Sequence, residues 1–239
     1  YAVKADVKKC YPSIDQERLI ELLNRDIKNE SLLWLMEILI KQFDSGLSIG
    51  SYLSQYLCNY YLSYAYHYAA EQLAITKTRR GRTRRVRLAD HVLFYMDDIL
   101  LLGGNKRQLR QGFEMLRQYM ADFLKLELKD SWMLFRVQYY DKDGKTHGDM
   151  IDMMGYRIGR RCTTVRKRIF RRLRRKVLSV ERYMAYGEEI PLRLARETSS
   201  LYGWLKNSDS YNFICKHKGA FKAANNTISI RAKGADNIC

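Results

Sequence analysis

The chain has 239 residues, of which 46% are hydrophobic, and its 43 Lys and Arg against 26 Asp and Glu give a formal net charge of +17 at neutral pH. That length suits one large domain or two small ones with a proper core, and the charge favours a polyanionic partner, nucleic acid ahead of an anionic membrane. Five Cys at irregular spacing, none in a CxxC pair, argue against a disulfide framework and against a zinc site, and point to free thiols in a reducing, cytoplasmic compartment.

Residues 1 to 7 alternate as a short strand with Asp6 near its end. Lys8 to Ile14 turns, punctuated by Pro12 and Ser13, and Ser13 or Asp15 can cap a helix from about Gln16 whose apolar face is Leu19, Ile20, Leu22, Leu23 and Ile27. Ser31 opens a second helix, Leu32 to Gln42, with a broad apolar face, and a loop with Gly46 and Gly50 follows. From Ser45 to Ala70 no residue is charged, yet Ser48, Ser51, Ser54, Gln55, Asn59 and His67 make the stretch too polar for a lipid-facing span. It reads as a buried helix from Ser51 to about Ala74, so no membrane partner is expected. Lys77 to Arg87 is a basic turn or hairpin, either solvated or in phosphate contact.

In His91 to Leu102 two Leu-rich apolar runs flank Met96-Asp97-Asp98. The pattern predicts a hairpin of two buried strands. Adjacent carboxylates at its turn repel and are costly to desolvate unless a cation sits on them. Asn105 or Gly104 caps a helix from about Lys106 to Phe123. Short strands are expected at 126–129, 132–139, 150–158 and 163–165, with Asp141 to Gly144 as a hairpin turn. From Arg166 to Lys176 eight residues are Lys or Arg, around a narrow apolar stripe of Ile169, Leu173 and Val177. Pro191 opens a further helix to about Leu205, residues 209–224 suggest a third, and the last dozen residues show no periodicity and should be frayed. The order predicts an α+β fold, an antiparallel sheet covered by helices on one face, followed from about residue 161 by a small basic helical domain.

Asp6, Asp97 and Asp98, if brought together, would hold two Mg²⁺ and suit an in-line displacement at phosphorus. Tyr95-Met96-Asp97-Asp98 resembles the YxDD motif of reverse transcriptases. The stretch Ala5 to Ile14 resembles the first metal-binding motif of that family, Gly46 to Gln55 the motif lining its nucleotide pocket, and Met154-Gly155-Tyr156-Arg157 its primer-grip strand. The ordered set spans residues 1 to about 160.

The resemblance implies an RNA-directed DNA polymerase that adds deoxynucleoside triphosphates to a primer 3′-hydroxyl by two-metal-ion nucleotidyl transfer. Its polymerase palm would be residues 1–160, with residual finger helices at about 16–45, and its helical thumb residues 161–239. Asp6, Asp97 and Asp98 would bind two Mg²⁺, for which Mn²⁺ can substitute, with the Val7 carbonyl as a further ligand. Tyr11 would lie under the sugar and select deoxynucleotides, or else serve as a core aromatic. Gln55 would lie against the incoming nucleotide, or be satisfied locally in its helix. Gly50 would allow close backbone approach, and Lys129 would sit near the leaving pyrophosphate or be a solvated surface Lys. Gly155 and Tyr156 would meet the primer, and Arg166, Arg168, Arg171, Arg172 and Arg175 would follow the backbone of an RNA–DNA duplex. Trp204 would pack the core of the helical domain.

Ser54-Gln55 resembles the diversity-generating retroelement type found in bacteria and phages, which implies a template RNA and a small basic accessory protein. A phage-defence reverse transcriptase keeps the same metal residues and stands as an alternative. In the family, finger strands precede the first Asp motif, and here five residues precede Asp6. An N-terminally truncated chain is therefore expected, and a nucleic-acid-binding fragment inactive without fingers is the other alternative.

Overall fold

Alternation at the start of the chain builds β1 (Ala2–Asp6), which lies inside a four-stranded antiparallel sheet. A computed structural model describes residues 1–236, and the chain divides into two compact units, Tyr1–Arg136 and Val137–Cys239. In the first unit the sheet order is β4 (His91–Tyr95), β5 (Asp98–Leu102), β1, β6 (Met133–Phe135). Side chains alternate between faces with a period of two. Val3, Ala5 and Val7 with Ile99 and Leu101 are buried on one face, while Lys4, Asp6 and Asp98 take the other.

Helices α1 (Gln16–Asp26), α3 (Tyr52–His67) and α4 (Lys106–Leu124) join the buried face in one core through Leu19, Leu57, Tyr61, Leu109, Phe113 and Leu116. Asp15, not Ser13, caps α1, accepting from the Arg18 backbone N–H at 2.8 Å. Asn29, not Ser31, caps α2 (Glu30–Lys41), whose apolar face stays largely open, with Trp34 65% exposed. A π-helical turn, Tyr68–Gln72, extends α3. Tyr61 is fully buried on α3, and its hydroxyl donates to the Leu124 carbonyl at 2.6 Å, tying α3 to the end of α4. The basic stretch forms a hairpin, β2 (Ala74–Arg79) with β3 (Arg82–Arg87).

The expected strands at 126–129 and 132–139 are corrected. Leu126 and Leu128 are buried in alternation, but only a single bridge, Val7 to Leu128, forms before the chain bulges and rejoins β1 at Lys4 opposite Met133. Four residues, 129–132, stand opposite two, Ala5 and Asp6, so the ladder cannot run on.

The second unit pairs β7 (Tyr139–Tyr140) with β8 (Thr146–His147) around the expected turn, and builds a sheet in the order β11 (Thr163–Val165), β10 (Tyr156–Ile158), β9 (Ile151–Met153). The single strand expected at 150–158 is instead a tight hairpin, because Met154 (φ 49°) and Gly155 (φ 81°) both adopt the left-handed conformation that a two-residue turn demands. Helices α5 (Lys167–Tyr186), α6 (Leu192–Tyr202), α7 (Tyr211–Lys216) and α8 (Lys218–Asp236) bury Leu173, Val177, Val180, Ala195, Leu201, Phe221 and Ala224 around Val165. The compositional change near residue 161 falls inside this unit.

The expected fraying of the last dozen residues is also corrected: α8 runs through Asp236, anchored by Ala220, Phe221, Ala224 and Ile228 at helical spacing. The last three residues lie outside those described. Among the described residues no helix is long and apolar enough to cross a membrane.

Removing the Tyr61 hydroxyl (Tyr61→Phe) leaves the Leu124 carbonyl without its partner in the core. The expected loss is about 1–2 kcal/mol, read as a lower urea midpoint at unchanged m-value. An unchanged midpoint would show that the tie contributes nothing.

Candidate active site

The antiparallel register of β1 and β5 sets Asp6 directly opposite Asp98, at the turn end of the sheet and on the face away from Val3, Ala5 and Val7, where both are partly exposed. Directly opposed residues share a face, so two carboxylates meet there, an unfavourable cross-strand pair when both are ionised. The conflict raises the affinity of the pair for a proton. Burial first, then the hydrogen bond with Asp6, pushes the Asp98 carboxyl up to about 6. Asp6 is held below its ordinary value, first by that same hydrogen bond and also by Lys129 and Lys4. Lys129 Nζ lies 3.7 Å from Asp6 Oδ2, and Lys4 Nζ lies 3.8 Å from Asp98 Oδ1. The bulge at 129–132 is what brings Lys129 back over β1, and its backbone N–H donates to the Asp6 carbonyl at 2.9 Å.

Asp97 sits in the turn and not in the ladder, so it stands outside the register that joins the other two. Its carbonyl accepts from the Val7 N–H at 3.0 Å, which fastens the turn to the end of β1. Met96, before it, is held at φ 53°, a left-handed conformation costly for a side chain with a Cβ. Among the described residues no group of three or more His, Cys, Asp or Glu is close enough to hold a metal ion. The convergence of three carboxylates expected from the sequence is therefore met by two, with Asp97 beside them. The donor chemistry still fits Mg²⁺, which takes one or two carboxylates and fills its remaining positions with water and substrate phosphates. Asp6 and Asp98 supply hard oxygen ligands at a place where an added positive charge relieves repulsion. The Val7 carbonyl accepts no hydrogen bond among the described residues.

Beside β1, the Tyr11 carbonyl accepts from the Leu47 N–H at 2.8 Å. Burial, first, raises the pKa of the Tyr11 hydroxyl, and nearby Asp97 adds to the effect. The loop that meets Tyr11 depends on two residues to which the sequence assigns no such role. Gly46 (φ 55°) packs so tightly that a Cβ there would lie 2.3 Å from the Tyr11 carbonyl oxygen. The Gln16 side-chain amide donates to the carbonyls of Phe43 and Gly46 at 2.9 Å each and of Ile40 at 3.2 Å, stapling the end of α2 and the loop to the start of α1. A Gln at a helix start and one Gly of two carry no signal of this in sequence. Gly50 (φ 97°) also needs glycine, with open space around it. Gln55 is exposed in the first turns of α3, and its side chain makes no hydrogen bond among the described residues. Cys10 and Cys58 meet beneath Tyr11 with sulfurs 3.5 Å apart, both buried; the hydrogen bond between them and burial push the Cys10 thiol up, so it packs as a neutral group.

In the second unit, Gly155 faces inward: a Cβ there would lie 2.3 Å from the Trp204 ring, which also packs on Tyr156 with ring centroids 5.3 Å apart. Met154, at the tip of that hairpin, is the exposed residue. Arg166 is the N-cap of α5 and is ion-paired with Asp152, its Nε 2.8 Å from Oδ1. Arg168, Arg171, Arg172 and Arg175 are exposed along α5 and have no acidic partner among the described residues. Lys176, by contrast, is paired with Glu197.

The carboxylate pair predicts a stability signature. A carboxyl whose pKa is raised on folding favours the folded state at low pH, and that contribution is lost as pH rises from about 4 through about 6. The full shift corresponds to about 3 kcal/mol; screening at this partly solvated site reduces it to on the order of 1–2 kcal/mol. Asp6, lowered, acts in the opposite sense and only at more acidic pH. In EDTA, Asp98→Asn, which keeps the hydrogen bond to Asp6 without the charge, is expected to be more stable than the parent at pH 7–8 and no more stable at pH 4. Equal gains at both pH values would disprove the repulsion.

No curated protein matches the chain. The sequence model of the family described as reverse transcriptase (RNA-dependent DNA polymerase) matches residues 1–157. That span contains Asp6, the Tyr11 and Gly46 loop, the Asp97-Asp98 turn and the Met154-Gly155 hairpin, and it covers well over half of the 239 residues. The chain therefore belongs to the reverse transcriptase (RNA-dependent DNA polymerase) family.

Proposed function

We propose that this protein extends a DNA primer on an RNA template, with Asp6, Asp97 and Asp98 as catalytic carboxylates around two Mg²⁺, Mn²⁺ serving as a substitute. The observation that carries the reading is the Asp6–Asp98 opposition, with both carboxylates partly exposed on the face of the sheet away from the helix-packed core. Such a pair is a liability for folding alone and an asset where cationic charge is to be gathered. Bound Mg²⁺ would supply charge neutralisation on the phosphates and activation of the primer 3′-hydroxyl. The chain's own residues do the rest. The β1–β5 register orients Asp6 and Asp98. The bond from Val7 to Asp97 fixes the turn. Lys129, near Asp6, is positioned to meet negative charge that builds on the leaving pyrophosphate.

Tyr11, held by Gly46 and Gln16 from behind, supports a sugar-facing role in which its ring excludes a ribose 2′-hydroxyl. Gln55 and Gly50, both exposed, are available to the incoming nucleotide. Residues 1–160 act as palm and residues 161–239 as thumb, with Arg168, Arg171, Arg172 and Arg175 following the duplex backbone and Gly155 and Tyr156 forming the support beneath the primer-contacting hairpin. The Ser54-Gln55 pair supports the diversity-generating type, with a template RNA and a small basic accessory protein as partners in a bacterial or phage retroelement.

Primer extension on an RNA template with Mg²⁺ tests the reading. Asp97→Asn and Asp98→Asn are expected to lose activity by on the order of a hundredfold or more while retaining template binding; activity equal to the parent would overturn the assignment. Tyr11→Ala is expected to narrow the preference for deoxynucleotides over ribonucleotides by roughly tenfold or more, with primer binding unchanged. For the subtype, sequenced products should carry errors concentrated opposite template adenine.

A further inference from the structure

Between α3 and the catalytic hairpin the chain makes the β2–β3 ribbon, which none of the roles above uses. Seven of its fourteen residues are Lys or Arg and none is acidic. The register runs without a break from Ala74 opposite Arg87 to Arg79 opposite Arg82. Arg80 (φ 51°) and Gly81 (φ 73°) close it in the two-residue left-handed turn that matches strand twist. Asn or Gly is the usual first residue of such a turn, and Arg there is a strained choice. The ribbon is thus preformed and carries a cation at its tip.

Its cations divide by role. Arg85 and Arg87 turn back to the body and donate to the carbonyls of Glu71 and Ala70 at 2.9 and 2.6 Å, satisfying the end of the helical segment that precedes β2. Leu73 and Leu88, both buried, clamp the root with a backbone bond of 3.0 Å and close on Gly112 of α4, where a Cβ would lie 2.9 Å from Leu88 Cβ. Lys77, Arg80, Arg82 and Arg84 do none of this. They are exposed and have no acidic partner among the described residues. Lys77 lies directly opposite Arg84, a like-charged cross-strand pair that opposes folding.

Protection of a bare strand edge would be served by either sign of charge, yet only cations are present. Beyond the Ile75–Val86 pair at the root the ribbon has no apolar or aromatic side chain, so it offers nothing to insert into a bilayer and no platform for stacking single-stranded bases. What it offers is a rigid row of cations with Thr76, Thr78 and Thr83 hydroxyls between them, the chemistry of phosphodiester contact without base readout. Its root joins β4 at His91, the end opposite the Asp97-Asp98 turn. That separation is about 17 Å for a five-residue strand, so the ribbon is rooted a strand's length away from the carboxylates.

We propose that the β2–β3 ribbon is a second nucleic-acid site, which grips the backbone of base-paired RNA in the template outside the catalytic centre. It reads A-form shape and phosphate, not sequence. The inference rests on the reading that this protein uses an RNA template.

The test uses the full chain with Lys77, Arg80, Arg82 and Arg84 all changed to Gln, and a hairpin RNA of arbitrary sequence, with affinity measured between about 50 and 200 mM salt. Loss of four phosphate contacts is expected to lower the slope of log affinity against log salt by about 3 and to weaken binding at least tenfold at low salt, equally for unrelated RNA sequences. The thermal midpoint of the free protein should hold or rise, because the Lys77–Arg84 repulsion is gone. A companion with Lys at positions 80, 82 and 84 keeps the charge and should keep the slope, which guards against a folding artefact. A parental slope in the Gln variant overturns the proposal, as does a loss of binding seen only with anionic vesicles and not with RNA. The readout is binding alone. A protein that failed to extend primers but showed the slope change would therefore refute the polymerase reading and leave the ribbon's role intact.

Discussion

Everything at the candidate centre follows from one register. β1 and β5 pair so that Val3, Ala5 and Val7 and their neighbours Ile99 and Leu101 go into the core. Given that, Asp6 and Asp98 have no choice but to face one another. A slip of one residue would send both carboxylates into the apolar layer and turn Val3, Ala5 and Val7 out of it. The hydrophobic core therefore holds the acidic pair in place against its own repulsion. In the free protein the two flanking lysines offset part of that repulsion, and protonation of Asp98 removes it as pH falls through about 6. Both lysine contacts are near the outer limit of an ion pair and involve flexible stems, so they can yield to a better-placed cation with little rearrangement.

The same reasoning separates what the sequence discloses from what it does not. The hairpin carrying Asp97 and Asp98 was legible because two apolar runs flank a polar turn, and Asp6 was legible because alternation ends on it. The helices were legible from period and caps, although Asp15 and Asn29 prevailed over Ser13 and Ser31 as cap acceptors. Lys4 was hidden as a member of the centre, and Lys129 was reached only through the family resemblance, because their contacts depend on partners distant in sequence and on a bulge that no local pattern announces. Gln16 was hidden for a similar reason: its side chain satisfies carbonyls from the end of α2 and the following loop, and its position at the start of α1 reads as ordinary surface. The region 150–158 looked like one strand because Met154 is apolar. Only the left-handed backbone at Met154 and Gly155 turns it into two.

Charge is distributed by the same division between groups that hold the fold and groups left over. On α5, Leu173, Val177 and Val180 form the buried stripe, Arg166 and Lys176 are taken by Asp152 and Glu197, and the remaining arginines are left solvated. On the β2–β3 ribbon, Arg85 and Arg87 brace the root, while Lys77, Arg80, Arg82 and Arg84 have no acidic partner among the described residues. A protein of net charge +17 cannot pair all its cations internally. Which ones have no acidic partner among the described residues is therefore more informative than how many there are, and two groups of them, on α5 and on the β2–β3 ribbon, sit on regular elements where ordering them costs little further entropy.

The turn at Met96 carries the last step. A Gly at this position would accept φ 53° without strain. It would also free the unfolded and near-native turn to sample other shapes, and with it the carboxylate of Asp97. Met96 instead accepts a local penalty of order 1 kcal/mol, which the Val7–Asp97 backbone bond and the five-residue β4–β5 ladder together can offset. Arg80 and Met154 stand in the same left-handed conformation at the first position of two other two-residue turns, each followed by a Gly. At the Met96 turn the following residue is Asp97, so the backbone freedom that Gly supplies at the other two turns is given up beside a carboxylate. A strained, doubly tethered turn beside a register-locked acid pair holds Asp97 and the Asp6–Asp98 pair in one geometry, and under the proposed function that is the preorganisation that electrostatic catalysis requires.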